Sequence, residues 1–260
     1  MYWSTRRRLV YAIGVIVFFG IIFGGPVVYK VLTIPPTCSD GKRNQGETAI
    51  DRGGPCLILD QSNLQPSPVM WARAFKVRDG SYSAVAYVEN PNIDAGVRAA
   101  HYLFKMYDSE NILVAERKGT TFIMPSGITP VFEGGVETGK RVVAHTFFSL
   151  SAPLVWERMK DMSQDIRVSD EKINSVNTKP RLTATLHNIS VVPLYDIFVV
   201  AVVFDTAGNA FTASQTNLQR LEPDETNHVV FTWPDSFPES VGRIDVIPLV
   251  APVSSPELAP

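Results

Sequence analysis

The first thirty residues constrain this chain more than anything that follows. Leu9 to Tyr29 is a run of 21 residues without a charge. At about 1.5 Å per residue such a helix matches a hydrocarbon core of roughly 30 Å. A helix also satisfies every backbone polar group internally, as lipid demands. Residues 9–29 are therefore read as one transmembrane helix, which leaves residues 1–8 on one side and everything from residue 30 on the other. Arg6, Arg7 and Arg8 precede the run and only Lys30 follows closely, so the N-terminus is expected inside the cell. In a wider window Lys42 and Arg43 weaken that bias. A cleaved signal peptide is the rival; it has a shorter apolar core and small residues at a cleavage site. Gly24, Gly25 and Pro26 are followed here by Val27, Val28, Tyr29 and Lys30, which favours the anchor. Gly20 and Gly24 form a G-x-x-x-G, a spacing that lets helices approach, though glycine is common in membrane helices anyway.

With the anchor set aside, the remainder has room for one large or two small domains. Removing the three N-terminal arginines leaves 21 basic against 26 acidic side chains, a net of −5. That sign speaks against nucleic acid as a partner. The two cysteines, 18 positions apart, suit one disulfide in an oxidising compartment. They are too few for a four-thiolate metal site.

Residues 30–69 read as a spacer stiffened by Pro35 and Pro36, a polar loop from Cys38 to Cys56, and a linker from 57 to 69. From Met70 the pattern becomes strand, turn, strand. Trp71 to Val77 alternates apolar and polar, Asp79-Gly80 is a hairpin signal, and Ser83 to Val88 follows. Val97–Tyr107, Ile112–Ala115, Thr120–Met124, Val131–Val136 and Arg141–Leu150 bring the first set to about seven strands. Trp156 to Met162 has the makings of a short helical turn inside a polar joint. A second set then runs through Arg181–Leu186, Leu194–Phe204, Phe211–Ser214, Leu218–Leu221, His228–Trp233 and Arg243–Leu249. Residues 251–260 are rich in Pro, Ser and Ala and are expected to be a disordered tail.

The two sets share landmarks. Asn90 and Asn188 are 98 apart, Asp108 and Asp205 97, Pro125 and Pro223 98, and Phe132 and Phe231 99. An offset constant within two residues argues for tandem duplication. About 95 residues with seven short strands fit an immunoglobulin-like sandwich. The expected fold is all-β: two tandem immunoglobulin-like β-sandwiches outside the membrane, residues 70–157 and 165–250 with a joint at 158–164, plus one N-terminal transmembrane helix. Phe104 and Phe204 are expected in the cores. Phe198 to Phe204 is apolar on both faces, as a central sandwich strand is.

The end of the long strand reads FKMYD at Phe104–Asp108 and AVVFD at Ala201–Asp205, with Met124-Pro125-Ser126-Gly127 and Leu221-Glu222-Pro223-Asp224 downstream. Over residues 70–250 this resembles the FxLYD family of prokaryotic surface domains and the related CARDB-type adhesion modules. The first unit has Met106 for the usual Leu. The second lacks the leading Phe and carries Asp224 where Gly is usual. The resemblance implies binding or spacer modules and no catalytic residues. The loop pattern C-x-D-G-x-x-N-x-x-E-x-x-x-D-x-G-G-x-C is similar to a cysteine-rich loop of secreted and surface bacterial proteins. That loop has two further cysteines, where Arg52 and Leu59 stand here. Their joint absence implies that they pair with each other in the family, which leaves Cys38 and Cys56 as the surviving pair.

Asp40, Asn44, Glu47 and Asp51 place four oxygen-bearing side chains within twelve residues. Calcium takes such carboxylate-rich, glycine-bearing loops, and these four are the candidate metal ligands. The plain alternative is a solvated acidic loop held by capping hydrogen bonds, with Lys42 and Arg43 near its acids. His101, His145, His187 and His228 are scattered, with His187 and His228 flanking strands of one unit. H-E-x-x-H, a P-loop, a dinucleotide fingerprint and G-x-S-x-G are all missing. Asn188-Ile189-Ser190 is a glycosylation sequon by pattern. The leading expectation is a non-enzymatic protein of the plasma membrane, single-pass, whose outer sandwiches bind a partner or act as spacers. It would contact lipid through residues 9–29 and a protein partner in the envelope. The alternatives are an accessory subunit of a secretion or pilus assembly, which a continuous exposed apolar patch would favour, and a carbohydrate-binding protein or enzyme, which an aromatic-lined acidic cleft between the sandwiches would favour.

Overall fold

Alternating apolar and polar residues from Val69 onward fold into antiparallel strands. In this computed structural model, residues 3–33 and 37–252 are described. The prolines of the spacer (Pro35, Pro36) and the tail from residue 253 lie outside them. The strands are β1 (Val69–Arg78), β2 (Ser81–Asn90), β3 (Ala95–Tyr107), β4 (Leu113–Ile123), β5 (Gly127–Glu137), β6 (His145–Leu150), β7 (Trp156–Arg158), β8 (Ile166–Asn174), β9 (Arg181–Asn188), β10 (Leu194–Asp205), β11 (Ala210–Leu221), β12 (Thr226–Thr232) and β13 (Val241–Val250). They belong to a compact unit that begins at Cys56, and residues up to Pro55 form another. In that earlier unit a single helix, α1 (Trp3–Thr33), runs for 31 residues through Pro26. Its stretch Arg6–Pro26 is apolar enough to cross a membrane, with none of it buried in the protein.

The first sandwich stacks sheet β1-β2-β5 on sheet β4-β3-β6, with β7 added to β3. Phe104, Met106, Val97, Ile123, Val88 and Trp156 fill the space between. The second stacks β8-β9-β12 on β11-β10-β13 around Leu182, Leu186, Ile197, Val203 and Phe231. Strand for strand, the order is the same.

Two residue types fix that shared order. Asn90, fully buried, donates from Nδ2 to the carbonyls of Ala95 (2.7 Å) and Met124 (2.8 Å), and its Oδ1 accepts from Asn92 N. Asn188, equally buried, donates to Val192 (2.9 Å) and Leu221 (3.1 Å) and accepts from Ser190 N. Each amide ties the end of one sheet to the strand that crosses to the other. The sequon at Asn188 is thus sealed inside the fold, with its amide nitrogen donating twice. Asp108 Oδ1 accepts from the backbone of Glu110 and Ile112, and Asp205 Oδ1 from Ala207 and Asn209. Both aspartates therefore close the turn after the long strand in the same way. The bond from Ile112 to Asp108, and from Asn209 to Asp205, holds each carboxyl below its usual range. Ser126 and Asp224 both take the left-handed conformation, φ 55° and 60°, which short polar side chains tolerate.

The structure corrects several expectations. Phe132 and Phe231 are not equivalent: Phe231 pairs with Leu182 and is buried in its own sandwich, whereas Phe132 pairs with Val85 and packs between the sandwiches. A one-residue slip flips a side chain to the other face. Ile112–Ala115 and Thr120–Met124 are one strand, β4, and Phe211–Ser214 and Leu218–Leu221 are one strand, β11. The helical turn at Trp156–Met162 is the short strand β7 followed by a 3-10 turn at Met162–Asp165. β8 lies within the expected second sandwich, at a stretch where no strand was expected. Residues 57–69 are no free linker, because Leu59 is buried and its N–H donates to Trp156 O while Arg158 N donates to Leu57 O.

The outer face of β1-β2-β5 packs on the outer face of β11-β10-β13. Phe75, Val85, Tyr87, Val200, Val202 and Phe204 form that contact. Trp71 lies 4.4 Å from Tyr87 and 6.3 Å from Phe204, centroid to centroid, and the Arg243 guanidinium sits 4.1 Å over Phe204. Arg73 donates to Ala210 O (3.0 Å) and Tyr87 to Asp245 Oδ2 (3.2 Å). Burial, then Asp245, raises the Tyr87 hydroxyl well above its usual range. Phe204 is therefore buried as expected, but between the sandwiches rather than within one. This second contact is why β2 and β10 are apolar on both faces.

Candidate functional site

Two places carry chemistry. The first is the loop from Cys38. Its cysteines are bonded to each other, Cys38 to Cys56. Within the loop Asp40 accepts from Lys42 N and from Asn44 Nδ2, both at 2.8 Å. The Asn44 bond, more than any other contact, holds the Asp40 carboxyl below its usual range. Glu47, 4 % exposed, accepts from Asn44 N and Asp51 N, each at 3.2 Å. Asp51 accepts from Gly41 N, and Arg43 Nε donates to Glu47 O. All four candidate ligands thus belong to one hydrogen-bonded network that folds the loop on itself.

A calcium shell needs six to eight oxygens at 2.3–2.6 Å. Glu47 instead brings a carboxylate oxygen within 4.8 Å of the sulfurs of Cys38 and Cys56, which are spent on the disulfide, and the other acids are engaged by the loop's own N–H groups. Calcium at Asp40, Asn44, Glu47 and Asp51 is therefore a proposal that requires loop bonds to exchange for metal bonds. Replacing both cysteines by serine should lower the resistance of residues 38–55 to protease, with a loss of roughly 3 kcal/mol in the chain-entropy model. Unchanged cleavage would mean that the hydrogen bonds suffice. With the disulfide intact, protection that rises with millimolar calcium would show the carboxylates released to metal.

The second place is a groove at the end of the inter-sandwich contact. The β1–β2 hairpin (Lys76 to Asp79) faces Phe211, Thr212 and the loop Trp233–Pro238 across a cavity of about 660 Å³. Trp233, Phe237 and Phe211 pack edge to face, with centroids 5.1 and 5.3 Å apart. Trp233 is 7 % exposed and its Nε1 has no partner among the described residues. The rim is charge-balanced: Lys76 binds Asp79 at 2.6 Å, with Arg78 and Asp235 beside them. That bond raises Lys76 and lowers Asp79 from their ordinary values. The cleft is aromatic, but it is not acidic.

The sequence reading missed this groove. Its signal was Trp233-Pro234-Asp235-Ser236-Phe237-Pro238, a loop with two aromatics and two prolines. The histidines do not gather: His187 Nε2 lies 2.9 Å from Asp224, His228 meets Thr185 and His101 meets Thr120.

No protein-family model matches the chain, and no curated protein sequence matches it. Among solved structures, red sea bream transglutaminase aligns with 72% of this chain and 31% of its own, at 12% identity and TM-score 0.25. Bacteroides uniformis β-glucuronidase aligns with 68% and 22%, at 13% identity and TM-score 0.19. The tandem CBM22 domains of Paenibacillus barcinonensis Xyn10C align with 75% and 87%, at 5% identity and TM-score 0.16. The chain spans about a third of the first and a fifth of the second, and likeness at these scores carries no functional argument.

Proposed function

We propose that this is a membrane-anchored extracytoplasmic protein whose two sandwiches, copies of one module, act as a rigid spacer or binding head without catalysis. The observation that carries the reading is the aromatic contact between the sandwiches, Trp71 and Tyr87 against Phe204, which makes one stiff body of two small ones. Burial of aromatics is worth far more than a flexible joint would supply. The identical roles of Asn90 and Asn188, and of Asp108 and Asp205, support duplication, as does the resemblance to FxLYD and CARDB-type modules. The apolar helix supports a plasma-membrane anchor, the preceding arginines an inside N-terminus, and the disulfide an oxidising exterior.

Protease added to intact cells should remove the bulk of the chain. Full protection of residues 60–260 would overturn the orientation.

One observation favours the reading as a subunit of an envelope assembly. Leu113, the strand partner of Tyr107, and Phe147, whose ring meets that of Tyr107 at 5.6 Å, are both exposed. Clusters of this kind mark interaction sites.

A further inference from the structure

Chain order gathers the basic residues of the connecting span into one short stretch. Between Lys30 and Arg73 there are three, Lys42, Arg43 and Arg52, and all lie between Cys38 and Cys56. Those two cysteines are bonded to each other. Lys30 belongs to helix α1, and Arg73 to β1, where its guanidinium donates to Ala210 O. Regular backbone of this kind resists cleavage, which concentrates in exposed loops. An endoprotease that cuts after lysine or arginine therefore parts the anchor from the sandwiches inside the disulfide ring, where the two halves stay bonded. A protease of broad specificity is not so confined.

The three basic residues differ in how free the following peptide bond is. Arg52 O accepts from the N–H groups of Thr48 and Ala49, and Arg52 N donates to Ala49 O, so that carbonyl is bound into a turn. The carbonyls of Lys42 and Arg43 accept no backbone N–H among the described residues, and both residues are exposed. A protease takes its substrate extended over several residues, and this loop reaches that form by local opening. Exposed hydrogen bonds hold it, and its one large aliphatic side chain, Ile50, is 59 % exposed. Segments with few buried apolar contacts and solvent-exposed hydrogen bonds open at low cost.

We propose that Lys42-Arg43 is a processing site for a basic-specific endoprotease, and that the Cys38–Cys56 disulfide makes release of the sandwiches depend on a second step, reduction by a dithiol. Hydrolysis adds water across the Arg43–Asn44 peptide bond, leaving a carboxylate on Arg43 and an ammonium on Asn44. The disulfide holds the cut chain together. A thiolate of the dithiol then attacks the sulfur of Cys38, which is exposed, and Cys56, 1 % exposed, leaves and takes up a proton. The second thiol of the reductant displaces Cys38, so two protein thiols form as the dithiol is oxidised to its disulfide. Hydrogen bonds remain across the cut, from Gly41 N to Asp51, Asn44 Nδ2 to Asp40 and Arg43 Nε to Glu47 O. Water replaces such bonds at small net cost, so the anchor fragment and the sandwiches separate. The inference rests on the anchor reading and holds for either orientation of the anchor.

The test uses the full chain in open membrane sheets, where protease reaches both faces, followed by sedimentation. Trypsin stands for the protease and dithiothreitol for the dithiol. Trypsin alone should leave the sandwiches in the pellet, still joined to the anchor on a non-reducing gel, with an anchor fragment ending at Lys42 or Arg43 on a reducing one. Dithiothreitol alone should release nothing. Both together should move the sandwiches to the supernatant. Lys42→Gln with Arg43→Gln should abolish that release, and Cys38→Ser with Cys56→Ser should let trypsin alone produce it. Release of the wild type by trypsin alone, an uncut loop, or retention after both treatments overturns the proposal. So does unchanged release from the Lys42→Gln, Arg43→Gln variant through a cut at Arg52. Sandwiches in the supernatant before any treatment overturn the anchor reading and the proposal with it, a result distinct from the others.

Discussion

Asn90→Ala and Asn188→Ala should each destabilise the protein by the same amount, on the order of 3 kcal/mol or more. Each replacement strands two carbonyl oxygens and one N–H that the buried amide now serves. A buried group left unpartnered costs about 1–3 kcal/mol. The cavity left by the missing amide is small, so polar desolvation decides the effect. Asn→Asp at either position should be worse, since it would set a charge against two carbonyl oxygens. Chemical denaturation followed by tryptophan fluorescence measures the loss. A large effect at one asparagine and none at the other would break the equivalence of the two sandwiches.

Phe104→Ala and Phe204→Ala should both cost about 3–5 kcal/mol, the usual toll of removing a buried ring. They act through different contacts. Phe104 fills the first sandwich against Phe148 and Tyr102. Phe204 holds the two sandwiches together through Trp71, Tyr87 and Arg243. Losing Phe104 should leave the inter-sandwich contact in place until the first sandwich unfolds. Losing Phe204 should weaken the coupling itself.

Much of this was legible because the signals are local. An uncharged run of helical length needs no partner to be recognised. Asn90, Asn188, Asp108 and Asp205 bond to backbone within a few residues or to the next strand, so their spacing showed in the sequence. β8 was illegible because it is an edge, with Glu171 and Lys172 turned to solvent and little alternation to detect. β4 looked like two strands because Glu116-Arg117-Lys118-Gly119 has the composition of a turn. In the fold its charged ends reach water, and Gly119 leaves room for Tyr102, whose hydroxyl would lie 2.3 Å from an added Cβ. Phe198 to Phe204 announced two buried faces, but a sequence does not say what covers the second. In the Cys38 loop the residue types were right for a hard cation; their direction, toward backbone N–H groups, depends on loop geometry that composition does not carry.

Two sandwiches of the same strand order are joined into one body through Trp71, Tyr87 and Phe204. Scanning calorimetry of the full chain in micelles tests that most directly. The expected result is one cooperative transition with equal calorimetric and van't Hoff enthalpies, lowered by Phe104→Ala and split in two by Phe204→Ala. Two separate transitions in the wild-type protein, with Phe204→Ala shifting only the one from the second sandwich, would contradict it.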